Sequence, residues 1–207
     1  MRFRAFRHAP IRHAAARLTL LSAMALIPIV AGCNTARVSR SVVADMGGDD
    51  PDAQMDFWHT LATKTVACND DAFHAILLDL DGTDPNTTYA QRVAALKSRG
   101  LLLKSFNSPA NQGVRRGTIA VILYQAGHIP GGVILTLTGP SERYCLKELL
   151  YLNLLPPSSD NQTFSGTELV GVIGRFEDYR NGNPADLPAA VMPPASPNFH
   201  GNPQALK

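Results

Sequence analysis

The stretch "NDDAFHAILLDLDGTD" (residues 69–84) decides whether this chain builds a sheet or a set of packed helices. Asn69, Asp70 and Asp71 suit a helix start, where acidic and amide side chains meet unpaired backbone N–H groups. Phe73, Ile76, Leu77 and Leu80 then recur three and four residues apart, the spacing of one helix face. Only Ile76 among these is β-branched, and Gly82 and Pro85 supply the usual stop signals. The spacing predicts a helix ending near Gly82.

Outward from this stretch the same pattern returns. Phe57, Trp58, Leu61 and Ala62 make one face of an earlier helix. Thr88 with Gln91 forms a capping box that opens a helix through Tyr89, Val93 and Leu96, and Gly100 can end it. Ile119, Ile122 and Leu123 lie on a helix stopped near Gly127. Ser141 leads a helix over Glu142–Leu152, and Ser165 with Glu168 is a second capping box before Leu169, Val172, Ile173 and Phe176. "GGVILTLTG" (131–139) is the one good strand candidate. The expected fold class is mainly α, a small domain of about six helices with at most a short β segment.

The opening stretch also carries "AILLDLDGTD" (75–84), which resembles the DxDGT signature of haloacid dehalogenase-type phosphatases. That resemblance implies Asp79 as nucleophile toward phosphorus, Asp81 as acid/base and Mg²⁺ to offset the phosphoryl charge. A threonine of "VILTLTG" and Lys147 would meet the phosphate. The motif needs a strand, so that both carboxylates emerge at one sheet edge. On a helix, two residues apart means about 200° around the axis, and Asp79 and Asp81 diverge. The later acidic metal-binding motif is also missing, Glu177 and Asp178 falling within a capped helix. The phosphatase is therefore the alternative, and a domain without catalysis, metal or cofactor is the expectation.

Three stretches are alike: "DAFHAILLDL" from Asp71, "GTIAVILYQA" from Gly117 and "GTELVGVIGR" from Gly166, at offsets of 46 and 49 residues. The latter two follow helices ending in "RGLL" (99–102) and "LNLL" (152–155), each with a polar, proline-containing loop between. Three helix–loop–helix repeats are the layout this period suggests. The middle unit, "RVAALKSRGLL" (92–102), "FNSPANQ" and "VRRGTIAVILYQA" (114–126), resembles an S-layer homology repeat. The likeness spans about 35 residues and implies cell-wall polysaccharide binding, with Arg116 where that family's polymer-binding arginine falls. The third unit departs with Ser165 at that place and the first with Asp70. Without the likeness, Arg115 and Arg116 read as a solvated helix start.

The N-terminus addresses location. Arg2, Arg4, Arg7, Arg12 and Arg17 precede an uncharged apolar run from Leu18 to Val30, too short to span a bilayer and matched to a secretory signal. It closes in Val30-Ala31-Gly32-Cys33, which resembles the lipobox of bacterial lipoprotein precursors. The resemblance implies cleavage after Gly32 and lipid attachment at Cys33, whose thiolate is the strong nucleophile such a transfer requires. Several acyl chains are needed because one binds membranes only marginally. Asn34 follows the cysteine, so the aspartate linked in that family to inner-membrane retention is absent and the outer membrane is favoured.

Loss of residues 1–32 leaves 14 basic residues against 17 acids, a formal charge of about −3 in place of +2. The precursor's basic balance therefore gives no ground for a nucleic-acid surface. The expected organisation is a signal peptide over 1–32, a flexible tether over 33–52, a helical domain over 53–180 and a proline-rich disordered tail over 181–207. Cys68 and Cys145 remain as a candidate disulfide in an oxidising compartment, the alternative being two separate buried thiols. His59, His74, His128 and His200 lack metal-ligand spacing, and His74 among apolar neighbours reads as a hydrogen-bonded core histidine. Tyr144, Tyr151 and Tyr179 are expected in the core. The expected protein is a lipid-anchored cell-envelope protein that binds or scaffolds, with the membrane and envelope polysaccharide or proteins as partners.

Overall fold

In the computed structural model, residues 36–182 other than 49 are described. Residue 69 begins a helix, as the opening stretch predicts. The elements are α1 (Pro51–Ala62), α2 (Asn69–Asp81), α3 (Tyr89–Ser98), α4 (Arg116–Ala126), α5 (Val133–Thr138), α6 (Glu142–Tyr151) and α7 (Gly166–Arg180), with a 3₁₀ turn at Val43–Asp45. The protein is mainly helical, and the described residues pair only as isolated bridges.

Local chemistry sets the ends. Asp50 caps α1 by accepting from the N–H groups of Asp52 and Ala53, with Pro51 at the first helical position. Thr88–Gln91 and Ser165–Glu168 are complete capping boxes at α3 and α7. Ser141 caps α6, and Gly82 ends α2 in the left-handed conformation at φ 74°.

The expected repeat is real, and a ring of backbone hydrogen bonds defines its register. Val114 N donates to Ala67 O at 2.9 Å, Phe164 N to Val114 O at 3.4 Å, and Ala67 N to Phe164 O at 2.9 Å. Each of these residues lies two positions before α2, α4 or α7, so the true offsets are 47 and 50 residues. Ala72, Ile119 and Leu169 then fall at one equivalent core position and Ala75, Ile122 and Val172 at another, all buried. The sequence alignment was out by one residue: Arg116 matches Asn69 and Gly166, not Asp70 and Ser165. Helical amphipathicity tolerates such a slip because positions three and four apart share a face.

The second and third units share a further device. Gly100 and Asn153 both take positive φ, 71° and 59°, and the N–H groups after them return to Leu96 O and Leu149 O. The "RGLL" and "LNLL" turns are therefore one structure. The first unit lacks it, since α1 leads into α2 through a short connection. Packing links the units: α2 lies on α3, α4 on α6 and α7 on α1. Gly166 permits the last contact, because a Cβ there would sit 1.7 Å from Leu61 O.

Phe57, Leu61, Phe73, Ile76, Ile119, Leu149, Phe164 and Phe176 fill the core. Each fully buried side chain of this size contributes roughly 1.5–3 kcal/mol.

Three expectations are corrected. Tyr151, expected in the core, stands 81% exposed. "GGVILTLTG" is not a strand: Val133–Thr138 is a short helix. A strand needs a neighbour for its backbone groups, and here Thr136 N donates to Gly132 O and Gly139 N to Leu135 O instead. Leu135 alone is buried, while Val133 and Leu137 stand 77% and 80% exposed. The flexible tether over 33–52 fails in its described part. Gly113 N donates to Ala36 O, Val38 N to Asn111 O, and Val42 is buried, so residues 36–46 belong to the domain. Gly-Gly and acidic residues looked loose because the groups that hold this strap lie far along the chain.

Candidate functional site

The sequence-predicted residues do not meet at one place. Asp79 lies on α2 with a nearly buried side chain and accepts from Arg180 Nη1 at 3.1 Å. Burial raises its pKa to about 6, against the opposing charge of Arg180. Asp81, half-exposed, pairs instead with Arg99 Nη1 at 2.6 Å. Each carboxylate thus faces a different arginine, as expected on a helix, and the paired arrangement that the phosphatase alternative requires is absent. Among the described residues, no three His, Cys, Asp or Glu side chains come together to hold a metal ion.

The candidate disulfide is also corrected. Cys68 and Cys145 are both free and buried. Cys68 precedes α2 and its thiol donates to Asp71 Oδ2 at 3.1 Å. Burial pushes its pKa to about 12, reinforced by the Asp71 charge, and burial likewise pushes Cys145 to about 11. The two are buried apart, Cys68 at the residue before α2 and Cys145 on α6. Cys33 lies outside the described residues, as do the rest of residues 1–35, expected as signal peptide and tether, and residues 183–207.

Arg116 is not presented to solvent. It is 6% exposed, donates to Glu168 Oε1 at 2.6 Å and lies 4.8 Å from the centroid of Phe164. Its Nε–H is buried with no partner. Glu168 has its pKa lowered, chiefly by the Ser165 N–H of the capping box and further by Arg116. The capping box therefore holds the acid that holds the arginine, joining the second and third units. The place expected to bind polymer is a structural cross-link.

Its neighbour Arg115 lines an open cleft of about 290 Å³ with Leu103, Ser105, Phe106, Asn107, Ser108 and Glu142. Arg115 Nη2 donates to Glu142 Oε1 at 3.1 Å and Nη1 to Asn161 Oδ1 at 3.3 Å. Thr118 Oγ1 also donates to Glu142 Oε1, at 2.8 Å. The cleft combines an anchored cation, an anion, hydroxyl and amide groups, and the apolar Leu103 and Phe106. Such a surface offers donors and acceptors to hydroxyl groups and an apolar patch to a sugar face.

Of a further polar cluster among the described residues, sequence reasoning finds only His74. Arg92 is buried; it donates through Nε to Asp84, through Nη1 to Asp70 Oδ1 at 2.9 Å and through Nη2 to Asn86 O at 2.7 Å. His74 Nδ1 lies 2.6 Å from Asp84 Oδ2, and its ring stands edge-on to Phe57 at 4.7 Å. With Nδ1–H donating, the buried Nε2 is an unpartnered acceptor. Burial alone would raise the Asp84 pKa, but the hydrogen bonds from His74, Arg92 and Asn86 hold it at about 2. Ser41 Oγ donates to Asp70 Oδ2 at 2.9 Å and Val43 N to Asp71 Oδ1 at 3.0 Å, tying the strap to the same cluster. His74 was expected as a hydrogen-bonded core histidine, and it is one. Asp84-Pro85-Asn86 carried the only local signal, an Asx turn in which Asn86 N donates to Asp84 Oδ1.

No family model, curated protein or solved structure matches this chain.

Proposed function

We propose that the protein is a lipid-anchored component of the bacterial cell envelope whose helical domain binds or scaffolds without catalysing a reaction. The lipobox-like sequence at Val30–Cys33, after an arginine-rich start and a short apolar run, supports attachment through Cys33, and Asn34 favours the outer membrane. Among the described residues, no helix is long and apolar enough to cross a membrane, which leaves the lipid as the attachment proposed.

The observation that carries the binding reading is the cleft at Arg115, open between the second and third helix pairs. A hydroxyl-rich envelope polysaccharide is the ligand its chemistry suits, in keeping with the S-layer-homology likeness. The binding role moves from Arg116 to Arg115. The test is retention on purified envelope polysaccharide. Arg115→Ala is expected to lower retention severalfold while the domain stays folded; equal retention by Arg115→Ala and wild type removes the cleft from the binding surface.

A further inference from the structure

Ala36 O accepts from Gly113 N at 2.7 Å, and a Cβ on Gly113 would also meet Val66 and Thr163 at 2.9 Å. Positions 66, 113 and 163 are equivalent in the three repeats, each next to a member of the backbone ring. The described chain thus begins at the point where the three units converge. Resting on the reading that Cys33 carries the lipid, only residues 34 and 35 lie between the acylated residue and Ala36. Three Cα-to-Cα steps reach at most about 11 Å.

We propose that this converging end of the domain rests on the lipid headgroups, with the bilayer surface as its partner. A loose tether of some twenty residues would have let any face approach; a strap paired at Gln112 and buried at Val42 does not. Charge agrees with this orientation. Arg37 and Lys64 are exposed at the converging end, beside neutral Thr65, Asn161 and Gln162, the half-buried Asp160, and Glu168, whose charge is paired with Arg116. At the far ends of α2 and α7, Asp79, Asp81, Glu177 and Asp178 outnumber Arg99 and Arg180, which pair with Asp81 and Asp79. α7 has 15 residues, which sets its two ends roughly 22 Å apart. An anionic leaflet attracts cations and repels acids, so the net charge difference between the two ends favours the converging end against it.

The full-length acylated protein is reconstituted into phosphatidylethanolamine–phosphatidylglycerol vesicles that carry a headgroup quencher. One variant bears a fluorophore on Thr65→Cys, the other on Asn181→Cys; the native thiols Cys68 and Cys145 are buried and unreactive. Quenching severalfold stronger at position 65 is expected. Equal quenching, or stronger quenching at 181, in protein that still floats with the vesicles overturns the orientation and leaves lipid attachment intact. Protein that does not float at all overturns both. A long Gly-Ser insert between Thr35 and Ala36 is expected to abolish the contrast; an unchanged contrast defeats the short leash as its cause.

Discussion

The α2–α3 seam and the α4–α6 seam occupy equivalent places in the repeat but are filled with opposite chemistry. Thr88 and Ser141 cap α3 and α6 alike, and Leu96 and Leu149 accept the same pair of returning N–H groups. At the position four residues before those leucines, α3 carries Arg92 and α6 carries Cys145. Arg92 meets Asp84, Asp70 and Asn86, with His74 behind Asp84; Cys145 packs with Leu146 and Leu149 against α4. One backbone frame therefore accepts either a buried charge network or an apolar filling. The charged seam additionally receives the strap, through Ser41 and Val43. Polarity at the first seam belongs to holding the N-terminal segment, and the second seam, without a strap, is free to leave an open cleft.

The sharpest way to break this comparison is Arg92→Ala. It strands the buried carboxylates of Asp84 and Asp70, and a loss of roughly 3–5 kcal/mol in urea unfolding is expected. Arg92→Met with Asp84→Leu, which removes the charged pair together, should recover much of that loss; a double variant as unstable as Arg92→Ala would show that packing rather than charge dominates the seam. Arg116→Ala comes next, with a loss of about 1–3 kcal/mol, because Glu168 is partly exposed and can recover water on losing its partner.

The two carboxylates that burial treats differently give opposite pH responses. Asp79, raised to about 6, binds a proton more readily in the folded chain, so its contribution to stability grows as pH falls from 7 towards 5. Asp84, held at about 2, contributes above the ordinary carboxylate range and loses that contribution as pH falls towards 2. Asp79→Asn should flatten the urea midpoint between pH 7 and 5 while leaving the acid-side loss in place; an undiminished slope would assign it to another group.

Arg115→Ala should change stability by about 1 kcal/mol, since its ion pair with Glu142 is partly exposed and Glu142 keeps its hydrogen bond from Thr118, while lowering polysaccharide retention. The smallest effect is expected from reductant. Cys68 and Cys145 are free, so reduction should leave the unfolding midpoint unchanged, and a thiol reagent should reach both only on unfolding. A shift of the midpoint on reduction would contradict the free-thiol state.

Much of the fold was legible because it depends on near neighbours in sequence. The helix at 69–81, the two capping boxes and the "RGLL" and "LNLL" turns are set by residues within four or five positions of one another. The three-unit period was visible, though one residue out of register, since amphipathic spacing fixes a face better than it fixes a position. The stretch 131–139 misled for a related reason: β-branched content suggests a strand, but a strand exists only where another runs beside it.

The sequence by itself determined that the chain is helical, where most helices start and stop, and that three similar units make the domain, because propensity, capping and apolar period act over one or two turns. Tertiary structure decided that Arg116 is buried, that Arg115 lines a cleft, that the cysteines stay apart and that residues 36–46 form a docked strap. Most of those outcomes depend on a partner 25 or more positions away, such as Glu168 for Arg116 and Asp70 for Ser41. A side chain's role is set by what surrounds it, and only the assembled helices bring those surroundings together.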